Sequence, residues 1–188
     1  AKEFADPHLF FLKRQGGFKK LGGKERLVAV FASPGNNQDW DIYAAWKTAD
    51  GWQPQRVCSA AGSDIHLAAD AGDDGSLWVC WQSMRNGNGD IYARRYADGA
   101  WSDELAVTST AADEWEPSIS VARNGMAWIG YDSYASGNYD VHAVPVYFGA
   151  GPDGKRLSAR KPIAVATSPD FEAHASVLAD DESDGVWV

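Results

Sequence analysis

The sequence predicts an all-β fold: a β-propeller of four-stranded blades, with about three and a half blades in the chain. Three observations lead there. LWVCWQSMRNGNGDIYARRY, from Leu77, returns as AWIGYDSYASGNYDVHAVPV from Ala127, 50 positions on without a gap, and LVAVFASPGNNQDWDIYAAW, from Leu27, is a third copy with one inserted residue. A fixed period near this value, with four β-like runs per unit, is the pattern of propeller blades. Nine Trp, seven Tyr, seven Phe and 19 Gly, without a long Ala/Glu/Lys/Leu tract, favour short strands divided by turns. LWVCW and AWIGY are apolar at successive positions, which suits strands buried on both faces, as in blades packed against each other.

Residues 1–26 form an atypical basic segment with seven of the 17 Lys/Arg and three of the 26 Asp/Glu. Two placements fit it: HLFFLKRQGGF as a strand c and its turn, or GFKKLGG as a degenerate strand a of a first blade. Propeller repeats occupy residues 27–188. In the second unit, strand a is expected near Ile65 to Ala69, b near Leu77 to Trp81, c near Asp90 to Tyr96 and d near Trp101 to Thr108. The intervening AGDDG, RNGNG, ADG and STAADE are Gly/Asn/Asp turns of the kind hairpins use. The final DGVWV aligns with GSLWV at the start of strand b, so the chain is expected to stop inside a blade. Closed propellers use about 4 to 8 blades; further chain or another subunit is expected to complete the ring.

The net charge of −9 argues against binding nucleic acid or anionic membrane, which need a cationic field. No apolar run approaches the ~20 residues of a membrane-spanning helix, and no charged-then-apolar leader is present. An opening on Ala1 reads as a mature or excised segment. Cys58 and Cys80 are too few for a disulfide framework and read as two separate buried thiols. G-x-S-x-G, H-E-x-x-H and Walker patterns do not occur.

In a four-stranded blade the b–c and d–a loops share one end, the top. These loops carry Trp40, Arg85, Asn86, Asn88, Trp115 and Tyr134, together with Asn36, Asn37, Asn138, Tyr139 and Phe171. Aromatic faces beside amides suit sugar rings or peptides. A second pattern recurs at the start of strand a: Asp64 and His66 in DIH, Glu116 and Ser118 in EPS, Glu172 and His174 in EAH. Alternation places the two members of each pair on one side of the strand. Such a set, ringing the channel mouth, would hold a divalent cation or a cationic or hydroxylated ligand. Asp41, Asp90 and Asp140 open every strand c and are expected to brace the b–c turn by accepting backbone N–H bonds. Asp50, Asp98 and Asp153 are expected to hold the c–d turns, and the acids of DDESDG belong to an a–b hairpin.

The succession EPSISVARNGMAWIGYDSYASGNYDVHAV, preceded by DIYARRYADGAWSDELAVTSTAADEW, resembles TolB-type β-propeller repeats of large secreted or periplasmic bacterial proteins. ADGW and ADGAW are similar, at shorter spacing, to the Asp-box of sialidase propellers. The TolB resemblance covers roughly residues 27–188 and implies the fold and an extracytoplasmic setting. Together with the top-face residues it leads to a non-catalytic binding or scaffold module for protein or carbohydrate. The alternative is the propeller part of a glycosidase, peptidase or metallohydrolase whose catalytic residues lie largely elsewhere.

Overall fold

The computed structural model of the chain describes residues 5–11, 13–14, 17–18, 20–21, 24–25, 27–35, 39–135, 137–152, 154–180, 183 and 185–188. Asn36, Asn37, Asp153 and three acids of DDESDG (Asp181, Glu182 and Asp184) lie outside them. The described residues contain no helix, and their larger sheets are all antiparallel. The chain is a partial β-propeller.

The innermost strand of the first blade is β1 (Ala5–Phe11), which pairs with β6 (Leu27–Pro34) in the register His8↔Val30 to Phe11↔Leu27, so HLFF lies in a strand a and not in the strand c also considered for it. GFKKLGG, the segment expected to fill that place, instead contributes to two minimal ladders: β2 (Lys13–Arg14) with β3 (Gly17–Phe18), and β4 (Lys20–Leu21) with β5 (Lys24–Glu25). Leu9, Phe10 and Phe11 have the higher strand propensity, whereas four glycines between positions 16 and 23 favour turns. The blade continues through β6 (Leu27–Pro34), β7 (Trp40–Thr48) and β8 (Gly51–Arg56).

The second blade runs through β9 (Asp64–Ala71), β10 (Leu77–Ser83) and β11 (Asp90–Ala97) to an outer strand in two pieces, β12 (Ala100–Trp101) and β13 (Leu105–Ala106). The break falls on Ser102, whose hydroxyl accepts the Arg95 N–H, and on the two acids that follow. At the c–d turn Asp98 and Gly99 both have positive φ, 51° and 89°, the paired left-handed geometry of a two-residue hairpin loop. The third blade repeats the plan with β14 (Glu114–Val121), β15 (Ala127–Ser133), β16 (Asp140–Ala150) and the outer pieces β17 (Arg156–Ala159) and β18 (Ile163–Ala166). A fourth begins with β19 (Leu178–Ala179) paired to β20 (Val186–Trp187).

The doubly apolar strand b is explained by the packing. Val79 and Trp81 join Val28, Val30 and Ile42 in the core between the first two blades. Trp78 and Cys80, on the opposite face of β10, join Ile129 and Val144 in the core between the second and third. β10 and β15 therefore each serve two cores, whereas β6 buries Val28, Val30 and Ala32 in one core and leaves its other face half-buried. Gly130 in β15 marks a tight point: a Cβ there would lie 2.7 Å from Val177 of the fourth blade. Cys58 and Cys80 are both buried free thiols; burial pushes the Cys80 thiol up to about 12.

Candidate functional site at the channel mouth

Each strand a begins with the same irregularity. In β9, Ile65 faces Gln82 and Ala68 faces Cys80, so His66 and Leu67 together oppose Trp81. In β14, Trp115 faces Asp132 and Ser118 faces Gly130, so Glu116 and Pro117 oppose Tyr131. These are β-bulges whose first residue is left-handed: φ is 47° at His66 and 48° at Glu116, and His174 at the start of the fourth blade has 63°. Glycine is the usual occupant of such a position; a non-glycine there stores of order 1–3 kcal/mol of strain. Three blades repeat it with His, Glu and His.

The bulges correct the alignment of the motif. Asp64 faces Ser83 and Glu114 faces Ser133, so Glu114 is the counterpart of Asp64, and Glu116 is the counterpart of His66. The 50-residue shift carries Asp64 onto Glu114, a signal present in the sequence that the EPS grouping passes over. Ser118 sits further along the strand, past the bulge.

The first acid of each motif braces a loop. Asp64 is fully buried and accepts from Trp81 Nε1 at 3.1 Å and from Arg85 Nη2 at 3.3 Å. Glu114 accepts from Thr110 Oγ1 at 2.6 Å, and Glu172 accepts the Ser168 N–H at 3.1 Å. None of the three lines the channel-mouth cleft. Burial raises the Glu114 carboxyl above its ordinary range, opposed by hydrogen bonds from Thr110 and Thr108 and reinforced by the charges of Asp90 and Asp113. The folded chain thus holds this proton to higher pH than the unfolded chain, so ionising Glu114 works against folding as pH rises through the carboxylate range. Glu114→Gln is accordingly expected to gain stability relative to wild type as pH goes from about 4 to 7, read from urea midpoints at each pH. A variant that loses stability relative to wild type over that interval would contradict the assignment.

The second residue of each motif behaves differently. His66, Glu116 and His174 are exposed and converge on one cleft of about 330 Å³. Gln82 and Asp132, equivalent positions on β10 and β15, form its polar wall. Trp115, Tyr139 and Phe171 form its aromatic wall. Trp115 packs against Tyr134 and Tyr139 with centroids 6.3 and 5.2 Å apart, and Tyr139 against Phe171 at 4.9 Å. His174 Nδ1 lies 2.5 Å from Glu116 Oε2, and Asp132 accepts the His174 N–H at 2.8 Å.

The remaining predicted residues lie apart from this cleft. Trp40 packs on the core between the first two blades. Asn86 donates to Asp90 Oδ2 and to the Tyr92 hydroxyl, and Asn88 donates to the carbonyls of Thr110 and Ala112. Asn138 repeats the Asn88 arrangement on Ser168 and Asp170, so this amide ties each b–c loop to the following d–a loop. The expected backbone N–H bonds to Asp41 and Asp90 are replaced by side-chain donors: Asp90 accepts from Asn86 Nδ2 within the b–c loop, and Asp41 accepts from Arg56 Nη2 of β8. Arg85 pairs with Glu104 and Asp64 and lies over the Tyr92 ring, its guanidinium carbon 3.8 Å from the centroid. Asp132 was not among the residues singled out from sequence; its signal is an acid inside the apolar run AWIGYDS.

No protein-family model matches the chain, and no curated protein matches it. Among solved structures it is similar to a thermostable family-43 glycoside hydrolase, with a TM-score of 0.51 and 15% identity over 97% of this chain. The match spans 64% of that protein's length. At this identity the likeness concerns the fold, a β-propeller. No helix among the described residues is long and apolar enough to cross a membrane.

Proposed function

We propose that this chain is a recognition module, a TolB-type propeller segment of a secreted or periplasmic protein, that binds a carbohydrate in the channel-mouth cleft. The observation that carries the reading is the pairing of an aromatic wall, Trp115, Tyr139 and Phe171, with a polar wall that includes Glu116 and His66. A sugar presents C–H faces that rest on aromatic rings and hydroxyls that bond to carboxylates and imidazoles. The ligand-contacting set is therefore His66, Glu116, His174 and Trp115, with Tyr134 backing Trp115. Arg85, Asn86 and Asn88 are left out of that set, because the internal bonds described above occupy them. Exposed Leu178 and Trp187 on the two-stranded sheet support the expectation that further propeller surface, from this chain or another subunit, packs there.

A second reading, a glycosidase or other hydrolase propeller, draws on the fold likeness to a glycoside hydrolase and on the neighbouring acids Glu116 and Asp132. Recognition is the better supported, because both Asp132 oxygens accept backbone N–H groups, from His174 and Ala175. Those bonds fix the carboxylate at the wall of the cleft and leave lone pairs for a bound group, which suits holding a ligand beside the aromatic rings.

Calorimetric titration with a panel of neutral oligosaccharides tests the proposal. One member is expected to bind, and Trp115→Ala and Phe171→Ala are each expected to weaken it about tenfold or more, roughly 1.4 kcal/mol. Binding that ignores both substitutions would place the ligand elsewhere; turnover of a panel member would favour the hydrolase reading.

A further inference from the structure

We propose that Glu116, Asp132 and His174 form a binding site for a divalent transition-metal ion at the channel mouth. One ligand atom from each, two carboxylate oxygens and an imidazole nitrogen, lies within 4.8 Å of the other two. Two ligands bonded to one ion at about 2.0–2.2 Å sit roughly 3–3.5 Å apart, so the His174–Glu116 side of the triangle would open and the longer sides would close. The contact between His174 Nδ1 and Glu116 Oε2 already joins two of the three, and an ion would replace the proton they share.

The third ligand is held in advance. Asp132 is 2% exposed, lines the cleft, and has its oxygens anchored by the N–H groups of His174 and Ala175. An ionised carboxylate has about four acceptor positions, so two remain for an ion. Hydrogen bonds of this kind orient metal-binding carboxylates.

An independent observation comes from the neighbouring blade. Gln82 is 5% exposed and lines the same cleft, yet its amide nitrogen meets only the Met84 sulfur, at 3.6 Å. Its carbonyl oxygen is thereby left as an acceptor for a water bound to a cation in the cleft. No Lys or Arg lines the cleft to neutralise the two carboxylates.

The imidazole decides the class of ion. Calcium and magnesium sites are built from oxygen, whereas a nitrogen ligand with carboxylates suits zinc and its first-row neighbours. Three protein ligands leave a coordination position open, as in sites that bind an exogenous group. Glu116 and Asp132 belong to the third blade and His174 to the fourth, so the ion would join two blades, with Glu116 and His174 as left-handed residues. This accounts for side chains with ligating atoms at positions whose backbone favours glycine.

The site shares Glu116 and His174 with the carbohydrate reading, and it is tested without sugar so that the two can fail separately. The full chain, stripped with a chelator, is titrated with zinc chloride and separately with calcium chloride by calorimetry, and bound metal is measured after dialysis. One zinc per chain is expected, with a raised melting temperature and at least tenfold preference over calcium. His174→Ala and Glu116→Gln alter exposed side chains, 72% and 43% accessible, and are expected to weaken zinc at least tenfold with an unchanged circular dichroism spectrum. Phe171→Ala is expected to leave zinc binding intact. No zinc uptake, uptake that survives both ligand substitutions, or a preference for calcium would each overturn the proposal. Zinc binding without oligosaccharide binding removes only the carbohydrate reading, and the reverse result removes only the metal.

Discussion

Arg85→Met is expected to destabilise the fold by about 3–5 kcal/mol, the usual cost of removing one partner from a buried ion pair. The residue lies on a top loop, where an arginine suggests ligand binding, but its guanidinium is directed inward. It donates to Glu104, to Asp64 and to the Cys58 sulfur, and it covers the Tyr92 ring. Asp64 is fully buried, so without Arg85 its charge loses its only ionic partner among the described residues. Methionine preserves much of the volume and isolates the loss of charge. Arg85→Lys is expected to fall between the two proteins, because an ammonium cannot serve several acceptors in the plane of a guanidinium. Equilibrium urea unfolding followed by circular dichroism measures both. A loss below about 1 kcal/mol, the range of exposed pairs, would mean that solvent already screens this cluster and that Arg85 is available to a ligand.

Trp81→Ala is expected to cost about 3–5 kcal/mol for a different reason. The side chain is fully buried in the core between the first and second blades, and it stacks with Tyr92 at 6.3 Å. Burying an indole removes roughly 200 Å² from water, about 5 kcal/mol as an upper figure. Its Nε1 also donates to Asp64 at 3.1 Å, so truncation opens a cavity and deprives a buried carboxylate of a donor. Trp81→Phe keeps most of the area and loses only the donor, and is expected to cost about 1–2 kcal/mol. Equal losses in the two variants would show that the hydrogen bond, not the packing, dominates. Because Trp81 and Arg85 act on the same Asp64 oxygen, their combined loss is expected to depart from additivity.

The pairings follow closely from the repeat. Once Leu77 and Ala127 are aligned, the strand b to strand c ladders of the second and third blades fall at Leu77↔Tyr96 and Ala127↔Val146, near the ends foreseen for strands b and c. The same repeat also holds the Glu114 correction, but choosing between Glu114 and Glu116 requires knowing which acid opens the ladder. Both are glutamates two residues apart in EWE. Local propensity does not separate a buried loop brace from a bulge residue facing the channel, and only the bulge, which inserts one extra residue opposite Tyr131, does.

The sequence by itself determined the architecture: the period, the four strands per unit, and the burial of strand b on both faces are local or repeated features that hydrophobic patterning records directly. It also determined which end of the blades collects aromatic and acidic residues. Only the tertiary structure decided which of them meet. His66, Glu116 and His174 are separated by 50 or more positions and come together because each holds a left-handed backbone at the equivalent place in successive blades. Arg85, Asn86 and Asn88 leave the ligand surface because partners on neighbouring loops satisfy them. The physical reason is that strand pairing within a blade rests on contacts inside one repeat, which the pattern records, while a channel-mouth site rests on which side chains of different repeats meet.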